Sequence, residues 1–156
     1  MTDRSATHAT FSIERIYGAS PRRVFAAWAD PKARAQWEAI GEGFETSYQE
    51  SDFRVGGRDV SRFHFDDGSQ FVAEARYEDI VPEARIVYAY SMAHNGTRIS
   101  VSLTTVEMKP VAKGTRLILT EQMTVLDDGD KPEYRQRGIS SQLDQLGHFL
   151  EQQMVN

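Results

Sequence analysis

Residues 131–154, KPEYRQRGISSQLDQLGHFLEQQM, carry Ile139, Leu143, Leu146 and Leu150 at successive steps of four, three and four. That spacing draws one apolar stripe along an α-helix, and such a stripe must be covered by another apolar surface. What precedes it is a succession of strand-like runs, so the natural cover is a sheet curved around the helix. The stripe is uneven. From Leu143 to Leu150 it is dense and includes Gly147, where the absence of a Cβ lets a neighbour approach closely. From Tyr134 to Gln142 only Tyr134 and Ile139 are large and apolar, with Gly138 between them. The pattern predicts tight packing under the second half of the helix and a cavity under the first.

Upstream, Phe11, Ile13 and Ile16 read as a first strand ending at Tyr17. Ser20-Pro21 is a helix start, followed by Val24, Phe25 and Trp28 on one face, and Asp30-Pro31 repeats the signal for a second short helix carrying Ala33 and Trp37. From Phe44 to Leu126 alternating runs are separated by Gly56-Gly57, Asp67-Gly68, Asn95-Gly96 and Lys113-Gly114, the chemistry of tight turns in an antiparallel meander. Four rows share faces by period two: Phe63 with Phe65; Phe71 to Tyr77; Ile86 to Met92; and Leu117 to Val125. The run Thr97–Lys109 breaks its period, with Ile99, Val101 and Leu103 on one face but Val106 and Met108 on the other. A bulge near Thr104 is expected to return both sets to the core. The fold class is therefore α+β: about six to seven antiparallel strands curved around a long C-terminal helix, with two short helices after the first strand. Residues 1–10 read as a polar tail and 11–156 as one domain.

A length of 156 residues suits one domain. The formal charge of −5 argues against a partner held by clustered Lys and Arg, so nucleic acid is not expected. With no cysteine there is no disulfide framework, thiolate nucleophile or cysteine metal site. No run is long and apolar enough for a membrane span, and Met1–Thr10 lacks a signal-peptide core; a cytoplasmic protein is expected.

Glu14-Arg15-x-Tyr17-x-Ala19-Ser20-Pro21-x-x-Val24-Phe25-x-Ala27-Trp28-x-Asp30-Pro31, followed by Trp37, resembles the opening of proteins related to the activator of the heat-shock protein 90 ATPase. These belong to the START-like, birch-pollen-allergen-like (SRPBCC) superfamily. Arg54-Val55-Gly56-Gly57, Pro82-x-x-Arg85-Ile86-Val87-Tyr88, Gly114-Thr115-Arg116-Leu117 and Leu143-Asp144-x-Leu146 agree in order and spacing. The resemblance implies a helix-grip fold with a cavity between sheet and helix that in relatives often holds an apolar ligand. It implies no shared catalytic residue. Relatives often carry a second aromatic where this chain has Glu38, and a Trp where it has Ile139.

The candidate ligand-binding residues are Trp37, Phe65, Phe71, Tyr88, Tyr90, Glu121, Met123, Tyr134, Ile139 and Leu143. Glu121 is a carboxylate amid Leu117, Leu119, Met123 and Val125. Facing inward it must be paired or hydrated, and the alternative is a twist that turns it to solvent. Tyr88 and Tyr90 offer rings with polar tips, suited either to orienting an apolar guest or to ordinary packing. Trp28 reads as core; Trp37 reads as core or as a cover over the cavity mouth. No pair among His8, His64, His94 and His148 has metal-ligand spacing, and Asp127–Asp130 lacks the terminal glutamate of a calcium loop, so no metal or cofactor is expected. The expected partner is a small apolar or amphipathic molecule. Two other readings stand beside it: a cyclase or hydratase using a cavity carboxylate as base, and a partner of the chaperone. The last is disfavoured because in the family's namesake a second domain supplies much of the binding.

Overall fold

The computed structural model describes residues 4–38 and 44–155. The elements run β1 (Ala6–Tyr17), α1 (Pro21–Ala29), α2 (Pro31–Trp37), β2 (Phe44–Ser51), β3 (Arg58–Phe65), β4 (Gln70–Val81), β5 (Arg85–His94), β6 (Thr97–Val111), β7 (Gly114–Leu126) and α3 (Pro132–Val155). The seven strands form one antiparallel sheet in the order β1-β7-β6-β5-β4-β3-β2. From β2 to β7 it is an uninterrupted meander, and β1 closes the far edge against β7. The helix pair α1–α2 therefore carries the chain from one edge of the sheet to the other.

The helix starts are built as their residues dictate. Ser20 accepts from the Arg23 amide at 3.3 Å and Asp30 from the Lys32 amide at 3.0 Å, each followed by a proline at the first helical position. Leu143, Leu146 and Leu150 of α3 are buried against Ile13, Tyr17, Val24 and Leu117. The Tyr17 hydroxyl donates to the Leu143 carbonyl at 2.7 Å, pinning the helix to β1. A Cβ on Gly147 would lie 3.3 Å from Tyr17 Cε1, whereas one on Gly138 would meet nothing within 4 Å. The helix is thus close to its support at Gly147 and open at Gly138.

Two details differ from the sequence reading. The expected tail of residues 1–10 is strand from Ala6 onward, because Ala6–Thr10 pair with Gln122–Leu126. Backbone pairing along an edge does not need apolar side chains, and this segment is largely exposed. There is also no bulge at Thr104. β6 pairs with β7 in unbroken register from Ser100 to Val111, and the shift on its β5 side lies where Met92 pairs Ser100 and Ala93 pairs Arg98. Ser100, Ser102 and Thr104 consequently face inward with Val106 and Met108, while Val101 and Leu103 face out. The Ser102 and Thr104 hydroxyls donate to Glu121, and the Ser100 hydroxyl accepts from Arg135.

Candidate functional site

A cavity of about 620 Å³ opens between the first half of α3 and the concave face of β2–β5. Its hollow follows from side-chain size. On β4 the inward row runs Phe71, Ala73, Ala75, Tyr77, large at both ends and small in the middle, and Ser61 of β3 pairs beside Ala73. On α3 the matching surface includes Gly138, which adds no side chain. One end is aromatic: Phe63 stacks on Phe71 with centroids 5.2 Å apart, and Phe65 meets Phe71 edge-on at 5.4 Å.

Two polar clusters border this apolar wall. In the first, Glu121 is fully buried and accepts from the Tyr90 hydroxyl at 2.8 Å to each oxygen, Ser102 at 3.0 Å, Thr104 at 3.3 Å and Arg135 at 3.2 Å. Arg135 also donates to Tyr90 at 2.9 Å, Ser100 at 2.8 Å and Asp130 at 2.6 Å. Burial alone would make the Arg135 guanidinium easier to deprotonate, but Tyr90, Glu121 and Asp130 hold its pKa above the ordinary value. Burial, reinforced by the Glu121 charge, pushes the Tyr90 hydroxyl up, so it stays protonated and donates.

In the second cluster Arg34 of α2 reaches Glu38 at 2.6 Å, Asp59 of β3, and the Tyr77 hydroxyl at 3.2 Å. Tyr77 donates to Asp59 at 3.0 Å, and Tyr48 to Glu38 at 2.7 Å. Burial raises the Asp59 carboxyl above its ordinary pKa, with the Arg34 guanidinium opposing the shift. Tyr48 and Tyr77 are raised by burial and remain neutral donors.

Of the residues singled out by sequence, Phe65, Phe71, Tyr88, Tyr90, Tyr134 and Ile139 line the cavity. Trp37 does not. It is 1% exposed, packs edge-on against Trp28 at 4.9 Å and donates its indole N–H to the Ala27 carbonyl at 2.9 Å, bracing α2 against α1. Met123 and Leu143 are core residues outside the lining, since β7 and the middle of α3 lie beyond it. Glu121 faces inward but stands behind Tyr90 and Arg135 and does not border the cavity itself. Arg34, Asp59, Tyr77 and Arg135 line it and were not among the candidates. Two of these were legible: Arg135 lies four residues before Ile139 on the same helical stripe, and Asp59 extends the Phe63–Phe65 face by period two.

Among the described residues no helix is long and apolar enough to cross a membrane, and no group of three or more His, Asp or Glu is placed to hold a metal ion.

A curved antiparallel sheet gripping a long C-terminal helix over a cavity is the architecture of the START-like superfamily. Within it, residues 18–151 match the model of the family described as Activator of Hsp90 ATPase homolog 1-like protein, and the chain belongs to that family. A protein of Rhizobium leguminosarum is 42% identical, with a TM-score of 0.89 over 97% of this chain and 99% of its own. The Mll3558 protein of Rhizobium loti is 44% identical, with a TM-score of 0.85 over 94% of this chain and 99% of its own. An AHSA1-like protein from Aeromonas hydrophila shares the fold at 22% identity, with a TM-score of 0.71 over 95% of this chain and 96% of its own. Among curated proteins there is no match.

Proposed function

We propose that this protein binds a small, mostly apolar molecule with a polar end, held between α3 and the sheet. The observation that carries this reading is the cavity of about 620 Å³, within the range of small-molecule sites, with aromatic walls and a few convergent polar groups. Its floor is kept open by Ala73, Ala75 and Gly138, residues too small to fill it. A well-packed core without a ligand role would place larger side chains there.

The general-base reading of Glu121 gains no support. Its two oxygens accept from Tyr90, Ser102, Thr104 and Arg135, leaving little free acceptor capacity, and the residue does not border the cavity. Glu121 reads as the counter-charge that holds Arg135 in place. An Hsp90-directed activity rests on the family description alone.

Uptake of the neutral dye Nile red tests the binding reading, with Ala75→Phe as the filled-cavity control. The wild-type protein is expected to enhance the dye's emission and the variant to lose that enhancement while keeping its circular dichroism. Equal behaviour of the two proteins would count against the cavity as the binding site.

A further inference from the structure

Tyr77 on β4 and Tyr88 and Tyr90 on β5 stand side by side on the cavity wall, with Tyr88 between the other two at ring-centroid distances of 6.0 and 5.9 Å. The outer two hydroxyls are committed within the protein. Tyr77 donates to Asp59 at 3.0 Å and accepts from Arg34 at 3.2 Å, and Tyr90 donates to Glu121 at 2.8 Å and accepts from Arg135 at 2.9 Å. The Tyr88 hydroxyl makes no hydrogen bond among the described residues. It is also not one of the partnerless side-chain atoms closed to solvent, which belong to Trp28, Arg34, Asp59 and His94. It is therefore open. Tyr88 lies on the concave row of β5 with the sheet behind it, so what it opens onto is the cavity.

An open phenol between two closed clusters selects the group it meets. Its oxygen lone pair is delocalised into the ring, so it donates better than it accepts, and its natural partner is an acceptor oxygen. Burial pushes the Tyr88 hydroxyl well above its ordinary pKa, and Tyr90, Glu121, Glu38 and Tyr77 push the same way, so it keeps its proton. The same surroundings oppose a carboxylate on the ligand. An ammonium gains little either, because Glu38, Asp59 and Asp130, the carboxylates bordering the cavity, are each paired with a guanidinium. A neutral carbonyl meets neither obstacle. From Tyr77, the β4 partner of Tyr88, to Phe71 is six residues, about 20 Å at about 3.3 Å per residue, with Ala73 and Ala75 leaving room between them.

We infer that Tyr88 is the polar anchor of the cavity, and that the ligand class is a neutral apolar molecule with a carbonyl oxygen that accepts from the Tyr88 hydroxyl. Its apolar body lies over Ala75 and Ala73 toward Phe71. The inference rests on the binding reading above and narrows it. Ser61 of β3 also lines the cavity, and its hydroxyl makes no hydrogen bond among the described residues, but a serine is a weaker donor than a phenol.

Four probes that share one skeleton test it. Acetylnaphthalene carries the carbonyl, isopropenylnaphthalene has nearly the same shape with a methylene in place of the oxygen, and naphthoate and naphthylethylamine carry the two charges. They are titrated into the wild-type protein, Tyr88→Phe and Ser61→Ala. Tyr88→Phe removes a hydroxyl that holds nothing within the protein, so its melting temperature is expected to match the wild type. Its affinity for acetylnaphthalene is expected to fall about threefold or more relative to that for isopropenylnaphthalene. The infrared carbonyl stretch of acetylnaphthalene bound to the wild-type protein is expected below its position in hexane, and Tyr88→Phe should return it. Equal changes for the two neutral probes on Tyr88→Phe overturn the anchor and leave the binding reading standing. So does a loss produced by Ser61→Ala and not by Tyr88→Phe, or a charged probe binding the wild-type protein more tightly than the ketone. A marked loss of stability in Tyr88→Phe would mean that its hydroxyl is spent within the protein, and overturns the anchor too. An unshifted carbonyl on the wild-type protein does so without recourse to any variant. Failure of all four probes to bind, together with failure of Nile red uptake, removes both readings.

Discussion

Glu121 Oε2 lies 3.2 Å from Arg135 Nη1, and the Tyr90 hydroxyl sits 2.8 Å from both Glu121 oxygens, so a buried carboxylate and a buried guanidinium share one phenol between them. The partnership is asymmetric. Arg135 has a second carboxylate, Asp130, at 2.6 Å, whereas Arg135 is the only cation paired with Glu121 among the described residues. Removing the cation leaves a fully buried charge uncompensated, and losses of about 3–5 kcal/mol are typical when one member of a buried pair is deleted. Arg135→Met is therefore expected to lose stability in that range and Glu121→Gln clearly less. The double variant should recover part of the Arg135→Met loss. Urea denaturation of the three variants measures this, and equal losses in the two single variants would contradict the asymmetry.

The two halves of α3 should respond differently to truncation. Leu146 is fully buried, and Leu146→Ala is expected to cost about 2–5 kcal/mol as a cavity forms in packed core. Ile139 is half-buried and borders space that already exists, so Ile139→Ala removes fewer contacts and should cost distinctly less. The same substitution should change Nile red uptake, which Leu146→Ala should leave alone. Denaturation midpoints and dye titrations on both variants provide the check.

The frame of the fold was legible because its signals are local. The α3 stripe is a period of 3.6 written in leucines, and Asn95-Gly96 marks a hairpin because both residues adopt positive φ, 48° and 87°. What local pattern does not carry is the register of a strand with polar residues inside. Hydropathy places Val101 and Leu103 in the core of β6, yet they are 44% and 40% exposed while Ser100, Ser102 and Thr104 are buried. The reason lies on other elements: Glu121 on β7 and Arg135 on α3 need those hydroxyls, and no period within β6 records that need. Trp37 is a similar case. A tryptophan at the end of a short helix suits either a cavity mouth or a core brace, and only the placement of Trp28 and Ala27 decides for the brace.

Gly138 and Gly147 offer a paired test of the helix's two environments. Alanine is favoured over glycine in a helix interior by about 1 kcal/mol. A Cβ at residue 138 meets nothing within 4 Å, so Gly138→Ala should realise most of that gain, raising stability while taking a little of the cavity's volume. A Cβ at residue 147 comes within 3.3 Å of the Tyr17 ring, which is tethered through its hydroxyl to the Leu143 carbonyl and has little room to yield. Gly147→Ala should therefore show no gain or a net loss. Thermal melts of the two variants distinguish these outcomes, and a comparable rise in both would mean that α3 does not press on β1 as described.

Asp59 gives the stability a pH dependence of unusual sign. Burial raises its carboxyl pKa in the folded protein, with Arg34 opposing, so the fold binds this proton before the unfolded chain does. As pH falls from the folded value toward the ordinary carboxylate value, the folded state carries more of this proton than the unfolded state, and the contribution of Asp59 to stability rises. As pH climbs through the same window that contribution is lost. The exposed carboxylates act in the opposite direction: Glu14 is held low by its hydrogen bonds to Arg116 and Asp67 by the Ser69 amide, so each loses its stabilising effect in acid. These surface groups are common to the wild type and to Asp59→Asn, so the difference between the two proteins isolates the buried carboxyl. The melting temperature of the wild type relative to Asp59→Asn is expected to increase from about pH 7 to about pH 4, even as both absolute values decline. A difference that shrinks on acidification would show that Arg34 dominates and that Asp59 behaves as an ordinary salt-bridged carboxylate.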